Sequence, residues 1–137
     1  MAEKMAIVAF SGAPDRLFGM ATLCVGAVSQ DMEVDIFLML GAVRAFQKKT
    51  VSADRPYSEN DDMRPTVLEN AKKLDLKPWY EMLADLKEVG ELRINVCSTA
   101  PKLLGIEMDE LLDIVDGTVG AFEIVSAAQE ADVHFFV

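Results

Sequence analysis

One of the two cysteines, Cys97, stands where Leu92-Arg93-Ile94-Asn95-Val96 gives way to Ser98-Thr99-Ala100-Pro101-Lys102. The first segment reads as a buried strand, the second as the opening of a helix. A thiol at such a junction lies near the positive end of the helix dipole, beside backbone N–H groups with no partner inside the helix. Both effects favour the thiolate, the form that attacks electrophilic sulfur. The ends of parallel strands are also where open α/β folds place their sites. The plain alternative is a small hydrophobe closing a strand. Ser98 and Thr99 fit helix capping first and hydrogen bonds to the sulfur second. Lys102 either brings positive charge to the thiolate or points to solvent.

Ser11 and Gly12 follow the first apolar run, and Gly41 follows the second. On a parallel sheet all three share an edge with Cys97, where they would line a pocket or hold an anion at a helix N-terminus. Turn geometry alone would account for Gly41. The Ser-Gly pair is too short for a nucleotide fingerprint, and neither a dinucleotide nor a P-loop glycine pattern occurs. Cys24 lies inside an apolar helical stretch and reads as core; a resolving role would need its Cα within roughly 7 Å of that of Cys97. His134, between Val133 and Phe135, reads as an ordinary strand residue.

At 137 residues, with 51% hydrophobic and 26% charged side chains, the chain is one domain with a single sizeable core. Lys and Arg total 13 against 23 Asp and Glu, a formal net charge of −10. That balance excludes the basic stripe of a nucleic-acid binder and disfavours anionic membranes. Two cysteines and one histidine make no metal motif, so neither a metal nor a cofactor is expected. Counting leaves a disulfide between them open. Met1-Ala2-Glu3-Lys4 leads straight into a strand with no signal peptide ahead of it, so a reducing cytoplasm is the expectation. No apolar run approaches the roughly 20 residues that span a bilayer. Leu17 to Val28 and Val34 to Phe46 come nearest and read as buried elements or subunit contacts.

Met5 to Phe10 predicts a buried strand, Arg16 to Gln30 a helix covered on more than one side, and Glu33 to Leu38 a second strand, giving β-α-β. Ala42 to Lys48 reads as a short helix. Residues 49–65, with Asp54, Glu59, Asp61 and Asp62, read as an exposed acidic loop. Thr66-Val67-Leu68-Glu69 fits a capping box. From Pro78 onward, Trp79, Met82, Leu83 and Leu86 follow helical spacing and read as core packing. The Cys97 strand is followed by a short helix stopped at Gly105, a helical turn over Asp109 to Asp113, a short strand over Ile114 to Thr118, a helix over Gly120 to Ala131, and a last strand, Val133 to Val137. Four or five strands with intervening helices make a three-layer, open, mainly parallel α/β sheet, Rossmann-like or flavodoxin-like.

The run Arg93 to Ile106, with its strand, Cys97, small polar stretch and helix ending in Gly105-Ile106, resembles the signature region of the DsrE/DsrF-like, or sulfur-relay, family. Lys4 to Phe10 with Ser11-Gly12, Met32 to Phe37, and Gly120 to Val133 are similar in order and spacing. The resemblance covers almost all of the chain apart from the acidic loop. It implies a subunit that assembles into trimers or hexamers, and a cysteine at the position of Cys97 that accepts a sulfane sulfur as a persulfide and passes it on. Sulfur donor and acceptor proteins, or small persulfides, are the implied partners. Other members of the family lack the cysteine and serve as structural subunits. The rival reading is therefore a non-catalytic oligomeric subunit or small-ligand-binding module. A thiol peroxidase is a weaker third reading, since the Thr-x-x-Cys pattern of such enzymes is missing.

Overall fold

The computed structural model describes residues 2–137. Its centre is a five-stranded, wholly parallel sheet in the order β4-β3-β2-β1-β5. The strands are β1 (Lys4–Ala9), β2 (Glu33–Leu38), β3 (Leu92–Cys97), β4 (Gly117–Val119) and β5 (Val133–Phe136). The helices are α1 (Pro14–Ser29), α2 (Leu40–Ala45), α3 (Arg64–Lys73), α4 (Trp79–Val89), α5 (Thr99–Leu104) and α6 (Ala121–Glu130). The open parallel α/β architecture is the one the sequence predicts. Among the described residues no helix is long and apolar enough to cross a membrane.

Parallel crossovers keep one hand. The connections that step from β1 through β4 therefore share one face, and the connection returning from β4 to β5 crosses the other. This makes the two faces unequal. On the first, Leu17, Met20 and Cys24 of α1 and Trp79 and Leu83 of α4 close over Ile7, Val34, Ile36, Ile94 and Val96. On the second, α6 contributes Ile124 as its one buried residue, over Ala6, Val8 and Phe37. Each fully buried Leu or Ile is worth ~1.5–3 kcal/mol, so the α1/α4 face holds most of the stability.

Several boundaries differ from expectation for identifiable reasons. α3 begins at Arg64 with Pro65 in its first turn, so Thr66 is already helical and forms no capping box. Proline's fixed φ suits that first turn and starts the helix earlier. None of its residues is buried, and its Val67 and Leu68 are exposed. The segment Met108–Glu110 is a single 3-10 turn, and the fourth strand starts only at Gly117. There Asp116 intervenes: its carboxylate accepts the Ile94 N–H at 2.7 Å and the Lys87 ammonium at 2.6 Å, fixing where pairing begins. α1 buries one face only, leaving Phe18, Leu23 and Val25 exposed. Val34 to Phe46 lies largely inside the chain's own core and offers little surface to a partner.

Cys24 is fully buried in the α1 layer, and burial pushes its thiol up to about 12. The unfolded chain releases this proton near pH 9 and the folded chain only near 12. The contribution is fully present below the unfolded value and is lost as pH rises, by about 1.4 kcal/mol per pH unit across that window. Urea titrations of wild type and Cys24→Ala should therefore converge in stability between pH 9 and pH 11 relative to pH 8. A constant gap would show that the thiol does not titrate on unfolding.

Candidate functional site

Cys97 is the last residue of β3 and pairs with Val119 of β4. Along β3 the side chains alternate: Leu92, Ile94 and Val96 are buried, whereas Arg93, Asn95 and Cys97 are half-buried. Strand geometry sends these two sets to opposite faces. Alternation thus directs Cys97 to the thinly covered side, beside Val119 and Met39 at the margin of the α6 cluster, while its place at the strand end also brings it against the edge of the larger core. The same face carries Arg93 clamped on Asp35 by Nε–Oδ1 at 2.7 Å and Nη2–Oδ2 at 3.2 Å. Cys24 belongs to the opposite layer, and both cysteines are free thiols.

The turn after Cys97 is tight. Ser98 is exposed, already αR, and its backbone N–H donates to Val119 O at 2.9 Å. That N–H is therefore not free for the sulfur, and the Ser98 side chain makes no capping hydrogen bond. Thr99 opens α5, which is six residues long and is closed by Gly105 in the left-handed region at φ 69°. A side chain would strain that position, which is why glycine ends the helix there. Lys102 is exposed and, with Ser98, Pro101, Ile106, Met108 and Thr118, lines a shallow open cavity of about 520 Å³. The cavity adjoins the Cys97 turn, and Cys97 itself is not part of its wall.

Ser11, Gly12 and Gly41 form a second group on the same edge of the sheet, at the ends of β1 and β2. They are held by backbone contact. A Cβ on Gly12 would fall 2.3 Å from Gly41 O, and one on Gly41 would fall 2.8 Å from Phe10 O. Ser11 Oγ accepts the Ala13 N–H at 3.1 Å. α2 and α5 pack together and join this group to the Cys97 turn. The loop of residues 49–60 folds back onto it: Arg55 Nη1 donates to Gly12 O, and Ser58 donates to the Asp15 carboxylate from both N–H and Oγ. Burial alone would raise Asp15, but these Ser58 hydrogen bonds outweigh it and hold the carboxyl below its ordinary value.

Sequence reasoning passed over Arg55, whose anchoring depends on a fold-back that composition does not encode. It also passed over a readable signal. In Leu92-Arg93-Ile94-Asn95-Val96-Cys97 the strict alternation already puts Cys97 in phase with the polar residues. His134 lies exposed on the edge strand β5, its ring edge-on to Phe136 at 5.9 Å. Among the described residues no three His, Cys, Asp or Glu side chains gather as a metal site.

An open parallel α/β domain with a half-buried free thiol at the C-terminal edge of its sheet is the class of protein these features define. The profile of the DsrE/DsrF-like family matches residues 5–136, and the chain belongs to that family. It is similar in fold to the ychN protein from E. coli, with a TM-score of 0.64 at 21% identity over 98% of this chain and 99% of that one. It is also similar to MTH1491, a protein of unknown function from Methanobacterium thermoautotrophicum, with a TM-score of 0.61 at 12% identity and the same coverage of both chains. No curated protein matches the chain.

Proposed function

We propose that this chain is a persulfide-carrying sulfur-relay protein whose working atom is Cys97 Sγ. The observation that carries the reading is the placement of a half-buried thiol at the end of β3, on the face that a single helix covers. A sulfur carrier needs one reachable thiolate and no second thiol that would trap it as a disulfide. Cys24, buried on the other face, meets the second requirement. Membership of the DsrE/DsrF-like family adds the association with sulfur relay.

The chemistry is exchange without net oxidation. The Cys97 thiolate attacks the outer sulfur of a donor persulfide, the donor's S–S bond breaks, and the donor leaves as a thiolate. Cys97 then holds Sγ–S⁻. An acceptor thiolate attacks that terminal sulfur, and Cys97 leaves as its own thiolate. The open cavity beside α5 and the exposed Lys102 give a donor or acceptor loop a place to approach. Intact mass after incubation with a persulfide donor should rise by one sulfur, return on reduction, and stay unchanged in Cys97→Ser.

A homo-oligomer is part of this reading. All four residues of the edge strand β5 are exposed, Phe136 among them, and Phe122 and Val125 of α6 add apolar surface. An open apolar strand edge invites pairing with another chain. The same observation favours the rival reading, a structural subunit that merely retains a thiol. Unmodified protein, under conditions that load an established carrier, would select that rival.

A further inference from the structure

Three arginines in this molecule can be compared directly. Arg93 sets its Nε and Nη2 on the two oxygens of Asp35. Arg64 does the same on Asp61, at 2.9 and 3.3 Å. Arg55 is also tethered, with Nη1 on Gly12 O, yet its Nε and Nη2 are buried and neither finds an acceptor. These two N–H groups lie on one edge of the guanidinium and point in parallel, the geometry that matches two oxygens of one oxyanion.

The surroundings deepen the contrast. The chain carries 23 acidic residues against 13 basic ones, yet none pairs with Arg55 or with Arg44 among the described residues. The nearby acids are engaged elsewhere: Asp54 with Arg64, and Asp15 with Ser58. Burial and the like charge of Arg44 both pull the Arg55 guanidinium below its ordinary value. Buried charged donors without an acceptor are unfavourable, and an anion on these two N–H groups would relieve both effects at once.

We propose that Arg55, with Arg44 beside it, is a receptor for a small free oxyanion, gripped through the Nε/Nη2 edge of Arg55 by two parallel hydrogen bonds. The anion enters as the 56–60 end of the loop lifts while Arg55 keeps its tether to Gly12 O. That end is mostly exposed and is fastened to α1 through exposed Ser58 hydrogen bonds with Asp15 and Arg16, so its opening is a local event. The site is independent of persulfide chemistry, and Cys97→Ser should bind the anion as wild type does.

The test is a titration of the full chain with inorganic phosphate, with sodium chloride adjusted to hold ionic strength constant. Calorimetry and the Arg55 Nε–H resonance are the readouts. Wild type should give a saturable heat and a saturable shift of that resonance. Arg55→Lys keeps the charge but loses the fork, and it should weaken binding at least roughly tenfold. Arg44→Gln, at an exposed position, should weaken it by a smaller factor and serves as the probe if Arg55→Lys does not fold. A response that stays linear in phosphate, or one unchanged in Arg55→Lys or Arg44→Gln, overturns the proposal. So does a resonance that follows protein concentration instead of phosphate, because a carboxylate of a second copy would then fill the fork.

Discussion

Truncating Phe46 to alanine should cost about 3–5 kcal/mol of folding stability. Phe46 is fully buried at the end of α2, its ring 4.9 Å from that of Trp79 at the start of α4. Its carbonyl accepts the Leu112 N–H at 2.9 Å, and the next residues, Gln47 and Lys48, pair with Leu111 and Glu110. Phe46 is therefore where α2, α4 and the chain after α5 meet. Alanine would leave a cavity that three separately anchored segments cannot collapse to fill. For a domain of this length the melting temperature should drop by roughly 10–20 °C. A fall of only a few degrees would mean that the segments close over the gap, and that this corner is less rigid than its packing implies.

Gly12→Ala should be the most damaging small substitution at the rim, at about 1–3 kcal/mol or more. The new Cβ would meet the Gly41 carbonyl oxygen at 2.3 Å, and that oxygen is backbone that cannot rotate away. The ends of β1 and β2 would have to part, shifting the Gly12 carbonyl that Arg55 holds. The same change at Gly19 provides the contrast. A Cβ there has nothing within 4 Å, and Gly19→Ala in the middle of α1 should stabilise by about 0.5–1 kcal/mol. Denaturant midpoints of the two variants should move in opposite directions. Similar shifts in both would place the importance of Gly12 in local flexibility and not in backbone contact.

The elements whose burial is dictated locally were legible in the sequence. Glu33–Leu38 came out to the residue because its β-branched and aromatic side chains favour a strand and the run is too short for a helix, and Gly105 was readable as the end of α5 from its residue type. What escaped required knowing what a segment touches. The apolar Ile114 and Val115 looked like strand, but Asp116 holds the register and delays pairing to Gly117. Thr66-Val67-Leu68-Glu69 read as the opening of a capped helix, yet α3 starts two residues earlier, with Pro65 in its first turn, and buries none of its residues. At the site, Cys97 and its junction were visible in the sequence. The face it points to was encoded in the alternation of β3 and went unread, and Arg55 was hidden by the acidic composition of its own loop.

Peptide mapping of the donor-treated protein addresses the sulfur-carrier reading most directly. Trypsin cleaves after Arg93 and Lys102, isolating Cys97 in the 94–102 peptide, and after Arg16 and Arg44, isolating Cys24 in the 17–44 peptide. The added sulfur, trapped with an alkylating agent, should appear in the 94–102 peptide and nowhere else. Sulfur on the 17–44 peptide, or on neither one under conditions that load an established carrier, would contradict the account.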